Sequence, residues 1–158
     1  MVNFESPEAL EEFMTRPSRE LAADLARAPG DLLILGVGGK MGPTLARMAK
    51  RAAPARRVIG VARFSEPGLR EKLESWGVEC LACDLLERAA LERLPRVPNV
   101  VFMAGHKFGA ADNAAPNPTM TPALREVLFR TCRVAGDELV ADGFKEELTN
   151  ARVFILVP

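Results

Sequence analysis

The run Asp31-Leu32-Leu33-Ile34-Leu35-Gly36-Val37-Gly38-Gly39-Lys40-Met41-Gly42 decides how the rest of the chain is read. Its apolar part has no polar alternation, which indicates a strand buried on both faces. It ends directly in a glycine loop, and residues 43 to 52 then place Leu45, Met48, Ala49 and Ala52 at helical spacing. The spacing Gly36-x-x-Gly39-x-x-Gly42 assigns each glycine a task. Gly36 permits a tight turn out of the strand, Gly39 lets backbone approach a pyrophosphate, and Gly42 lets the helix pack closely on the strand. Phosphates would then lie at a helix N-terminus, where free N–H groups and the helix dipole favour anions. Gly36, Gly38, Gly39, Lys40, Met41 and Gly42 are the expected lining. A glycine-rich turn with no ligand is the plainer reading of the same residues. A P-loop fails both checks, because Met41 follows Gly39-Lys40 where Ser or Thr is needed and Ile34 stands at the position of the first glycine.

Beyond the loop, short apolar runs alternate with amphipathic segments. Residues 57 to 62, 78 to 83 and 99 to 104 read as strands two to four, each buried on both faces. Helices are expected over 67 to 76, with Leu69, Leu73 and Trp76 on one face, and over 87 to 94, with Ala90, Leu91 and Leu94. Residues 106 to 120 form a Pro/Asn/Gly loop. Thr121-Pro122 opens a further helix with a break at Gly136 or Gly143, and residues 152 to 157 form a fifth strand. This order predicts an α/β, Rossmann-like doubly wound parallel sheet of five strands, ordered 3-2-1-4-5.

Ahead of it, residues 1 to 30 read as a helical N-terminal extension to a dinucleotide-binding domain over 31 to 158. Ser6 caps a helix with Pro7 at its first position and an apolar stripe of Ala9, Leu10, Phe13 and Met14, expected to pack structurally. Pro17 interrupts it, Ser18 restarts it with Leu21, Leu25 and Ala28 on one face, and Pro29-Gly30 ends it. A homodimer through these helices is one expectation.

The chain has 158 residues, 48% hydrophobic and 27% charged, with 21 basic against 21 acidic side chains. That balance, without runs of one sign, excludes a strongly basic nucleic-acid binder. No apolar stretch approaches the ~20 residues of a membrane span, and the N-terminus is not a signal peptide, so a cytoplasmic protein is expected. There is no tyrosine, and the single histidine is His106. Mechanisms that need a tyrosine, a histidine pair or a histidine-rich metal site are excluded, and no metal is expected. The 3 cysteines fit a reducing compartment. Cys80 and Cys83 have CxxC spacing, but on a strand they point to opposite faces and read as small apolar core residues rather than a redox or zinc pair.

Cofactor choice is read at the end of the second strand. An NAD-type site places a carboxylate there. Here the sequence is Val61-Ala62-Arg63-Phe64-Ser65, and a guanidinium suits a 2′-phosphate, with Ser65 as an added donor. NADP is therefore expected ahead of NAD; a solvated surface arginine is the plainer reading of Arg63.

These residues resemble the short-chain dehydrogenase/reductase superfamily, most closely its extended branch of NAD(P)-dependent epimerases and dehydratases. Gly36 to Gly42 is similar to the family's GxxGxxG loop. Cys83-Asp84-Leu85 resembles the acidic-then-apolar pair after the third strand, and that resemblance implies an Asp84 bond to the adenine amino group; Asp84 also reads as a helix N-cap. Phe102-Met103-Ala104-Gly105 resembles the small-residue end of the fourth strand, which implies that Ala104 and Gly105 lie against the ribose and nicotinamide. The resemblance spans residues 31 to 105. The family's Tyr-x-x-x-Lys catalyst and substrate-binding part have no counterpart here, so the chain reads as the cofactor-binding half of such an oxidoreductase, inactive by itself, with its catalytic residues unassigned. The loop is also similar to that of dihydrodipicolinate reductases, whose histidine-rich catalytic segment is missing. A non-catalytic nucleotide-binding or scaffolding module is the alternative. His106 and Lys107, just beyond the fourth strand, are candidates for contacts to substrate or cofactor, or solvated loop residues.

Overall fold

A computed structural model describes residues 4–104, Leu124 and the strand 152–155. The elements run α1 (Pro7–Met14), α2 (Arg19–Arg27), β1 (Leu32–Leu35), α3 (Gly42–Ala52), β2 (Val58–Ala62), α4 (Leu69–Ser75), β3 (Glu79–Ala82), α5 (Arg88–Leu91), β4 (Asn99–Phe102) and β5 (Arg152–Ile155). The strands form one parallel sheet in the order β3-β2-β1-β4-β5. This is the Rossmann-like order predicted from the sequence. The expected loop at 106 to 120, and the helix after Thr121 with its breaks, lie outside the described residues, apart from Leu124, which is helical and buried.

Successive strand side chains alternate between two cores, as the pleat demands. Leu33, Leu35, Ile59, Val61, Val100 and Phe102 join Leu85, Leu91 and Leu124 on one face. Leu32, Ile34, Val58 and Val101 meet Ala46, Ala49, Leu69 and Leu73, from α3 and α4, on the other. Helices thus cover both faces of the sheet. Cys80 belongs to the second core and Cys83 to the first, and both are buried and unbridged. The CxxC spacing is therefore two core residues on opposite faces of the sheet, one within β3 and one just past its end.

β3 departs from the expectation of strands buried on both faces. Glu79 and Ala82 are exposed, because β3 lies at the edge of the sheet beside β2, with no second strand neighbour among the described residues. Glu79 uses that exposure. It accepts from Arg57 at both oxygens, 2.7 and 2.8 Å, and Arg57 also reaches Asp31 at 3.3 Å. One guanidinium so ties together the starts of β1, β2 and β3.

Ser6 and Ser18 cap α1 and α2 through Oγ, accepting from Ala9 and Leu21 at 3.2 and 3.1 Å, as the sequence indicates. The packing of α1 differs from expectation. Its apolar stripe faces outward: Leu10, Phe13 and Met14 are 39%, 52% and 50% exposed, and Ala9 is exposed as well. The helix docks instead through Glu11, Glu12 and Thr15. Glu12 accepts from Arg47 and Arg51 at 2.9 and 2.8 Å, and Glu11 pairs with Lys72 at 2.6 Å. Thr15 is fully buried and accepts from Arg51 at 3.0 Å. Arg47 and Lys72 also lie 4.8 and 5.1 Å from the centre of the Trp76 ring. Ion pairs and hydrogen bonds from Arg47, Arg51 and Lys72 therefore hold α1 on the sheet domain, and the Trp76 ring contacts two of these cations, Arg47 and Lys72. No helix among the described residues is long and apolar enough to cross a membrane.

Candidate functional site

The loop between β1 and α3 is built as its glycines require. Gly36 has φ +85, and a Cβ there would stand 2.6 Å from the Ala104 nitrogen. A Cβ on Gly42 would stand 2.1 Å from the Val37 carbonyl oxygen. Neither position admits a side chain. At Gly39 the nearest atom is the Gly36 oxygen at 3.6 Å, an ordinary contact, and the residue is exposed. The protein's own packing excludes a Cβ at Gly36 and Gly42 and leaves room for one at Gly39.

The loop's hydrogen bonds leave donors unspent. Gly36 and Val37 both donate to Val61 O, at 2.8 and 3.1 Å, which pins the loop to the end of β2. Gly39 donates to Gly36 O and Gly42 to Gly39 O, each at 3.2 Å, forming two successive turns. Among the described residues, nothing accepts from the N–H of Gly38, Lys40, Met41 or Thr44. Pro43 has no N–H, and the N-cap position, Met41, supplies no side-chain acceptor. This helix start therefore presents unmatched donors and a positive dipole end to solvent. Lys40 and Met41 are exposed, Met41 at 68%.

Two further predicted residues meet at the end of the sheet. Arg63, after β2, and Asp84, after β3, line one cleft of about 480 Å³. Leu81, Ala82, Ala90 and Leu94 give it apolar walls; Glu87 and Arg93 bring charge. Arg63 and Ser65 are exposed, while Phe64 between them is half-buried against the second core at φ +50. That left-handed conformation is unusual for an aromatic residue. It anchors the segment through Phe64 while its neighbours face outward.

The position of Asp84 corrects one reading. The N-cap of α5 is Glu87, so Asp84 does not cap that helix. Asp84 Oδ1 instead accepts from the Leu86 N–H at 3.0 Å, closing an Asx turn that ends β3. Leu85 turns into the first core, and Ala104 is half-buried against the same core and against Gly36. Gly105, His106 and Lys107 lie outside the described residues. Arg93 was not singled out from the sequence. It belongs to the cleft because α5 packs beside β3, a relationship that local periodicity does not carry.

The arrangement can hold an anion at the loop, and an apolar ring with polar edges in the cleft, between a guanidinium and a carboxylate. No protein-family model matches the sequence, and no curated protein matches it. Among solved structures, the chain is similar to the PlmKR1 ketoreductase from the first module of phoslactomycin biosynthesis in Streptomyces sp. HK803, at 30% identity and a TM-score of 0.39. The match covers 49% of this chain and 21% of that one, so the chain spans about a fifth of the ketoreductase.

Proposed function

We propose that the chain binds a nicotinamide dinucleotide, NADP(H) ahead of NAD(H), across the C-terminal ends of its strands. One observation carries the reading: Gly39 is exposed beside unmatched N–H donors at a position where the fold tolerates a side chain. A loop kept open where only a ligand gains from it fits a pyrophosphate. In this reading Gly36, Gly38, Gly39, Lys40, Met41 and Gly42 line the pyrophosphate. Asp84 accepts from the adenine amino group, with Leu85 behind it in the core. Arg63 pairs with the 2′-phosphate, and Ala104 and Gly105 border the ribose and nicotinamide. The bound cofactor would supply hydride chemistry. The three sequence motifs support a short-chain reductase relationship, and they alone favour its epimerase/dehydratase branch.

No tyrosine exists in the sequence to serve as the acid/base of that superfamily. The chain by itself is therefore proposed to hold cofactor without turning over substrate, in a cytoplasmic setting that suits the unbridged Cys80 and Cys83. Calorimetry with NADPH, NADH and ATP tests binding. NADPH should bind most tightly, and heat from neither nicotinamide cofactor would reject the reading. Hydride transfer from NADPH to any of a panel of carbonyl compounds and sugar nucleotides would reject the claim of inactivity.

A further inference from the structure

α1 is amphipathic and docked by its polar face. Glu11, Glu12 and Thr15 meet Arg47, Arg51 and Lys72, while Ala9, Leu10, Phe13 and Met14 occupy the opposite side, in solvent. The Phe4 ring extends this outer surface, its centroid 5.2 Å from that of Phe13. An apolar stripe facing outward on a helix already anchored by its other side marks an association surface. We propose that this face binds the same face of a second copy of the chain, as an antiparallel helix pair about a two-fold axis.

Charge selects that occupant. Glu5 precedes the helix and Arg16 follows it, so the stripe is acidic at one end and basic at the other. Arg16 is 64% exposed, and its contact with Glu12 is long, at 3.8 Å. In an isologous antiparallel pair, the rim of one helix meets the same rim of its partner in reverse. Arg16 of each copy then approaches Glu5 of the other, and Leu10 of each packs near Phe13 of the other. The surface is self-complementary in both apolar pattern and charge. A lipid surface fits poorly, because the ends of the outward stripe carry Glu5 and Arg16, with no excess of basic residues, where an interfacial helix is rich in Lys and Arg. A helix of 8 residues is about 12 Å long. Its face falls well short of the ~800 Å² per partner of a stable interface. The dimer is therefore weak and concentration-dependent.

Sedimentation equilibrium on the full chain, from micromolar to millimolar concentration, tests this. The wild type should move from monomer toward dimer. Phe13→Asp and, independently, Leu10→Asp should remain monomeric with an unchanged circular dichroism spectrum. Glu5→Arg and Arg16→Glu should each weaken the dimer about 3-fold or more, because each substitution turns two symmetry-related exposed ion pairs repulsive, and the double swap should restore it. A wild type monomeric at millimolar concentration would overturn the proposal. So would a Phe13→Asp chain that dimerises like the wild type, a double swap without rescue, or a monomer that instead binds anionic vesicles.

Discussion

Gly36 and Ala104 are in contact so close that no side chain fits between them: a Cβ on Gly36 would lie 2.6 Å from the Ala104 nitrogen and 2.8 Å from its Cα. The glycine loop after β1 and the segment after β4 are therefore one structural unit. Gly42 stands in a similar relation to Val37. Gly36→Ala and Gly42→Ala should each lower stability by ~1–3 kcal/mol or more, the range for overpacking. Urea denaturation measures this, and an unchanged midpoint in either variant would contradict the packing described.

Arg63 faces the cleft that Asp84 also lines. Arg63→Ala should weaken NADPH binding by ~1–3 kcal/mol, the scale of a lost charged hydrogen bond, and leave NADH binding nearly unchanged. Equal losses for both cofactors, measured by calorimetry, would place the 2′-phosphate elsewhere.

The docking of α1 should weaken in acid. The hydrogen bond from Arg51 holds the Glu12 carboxyl below its ordinary value of 4.5. A lowered folded-state pKa means that this contribution is fully present above 4.5 and is lost as the pH falls through the folded value. Trp76, the only tryptophan, reports on it through Arg47 and Lys72. Its emission should change on acidification below the ordinary carboxylate range and on addition of salt to about 1 M, where the screening length falls to about 3 Å. Glu12→Gln should show the altered emission already at neutral pH. Emission that ignores pH, salt and this substitution would show that α1 is held otherwise.

Burial pushes the Cys80 thiol up to about 11, and the Cys83 thiol is raised for the same reason. Because the folded-state value is raised, stability should fall as the pH climbs from the ordinary 9.0 through about 11. Alkylation near neutral pH, followed by peptide mapping, should label both sites slowly in the folded chain and rapidly in urea. Rapid labelling of the folded chain would contradict their place in the two cores.

The sheet was legible because β1 and β2 are uninterrupted apolar runs, and a parallel order follows from alternating strands and helices. The glycine loop was legible because backbone conformation and close approach restrict residue type so strongly at Gly36 and Gly42. The face presented by α1 was not. An apolar stripe normally turns inward, and here long-range ion pairs from Glu11 and Glu12 to Arg47, Arg51 and Lys72 orient the helix the other way. The exposure of β3 followed from its edge position, and the cleft at Arg63 and Arg93 depends on how α5 packs; neither is a property of its own segment.

Position 39 separates cofactor binding from folding. NADPH affinity and melting temperature should be measured together for Gly39→Ala. The fold admits that Cβ, its nearest neighbour being 3.6 Å away, so the melting temperature should stay within a few degrees, the effect of less than about 1 kcal/mol. The added methyl would meet the pyrophosphate, so NADPH affinity should fall at least tenfold, or about 1.4 kcal/mol. A Gly39→Ala chain that binds NADPH as tightly as the wild type would contradict the assignment of this loop.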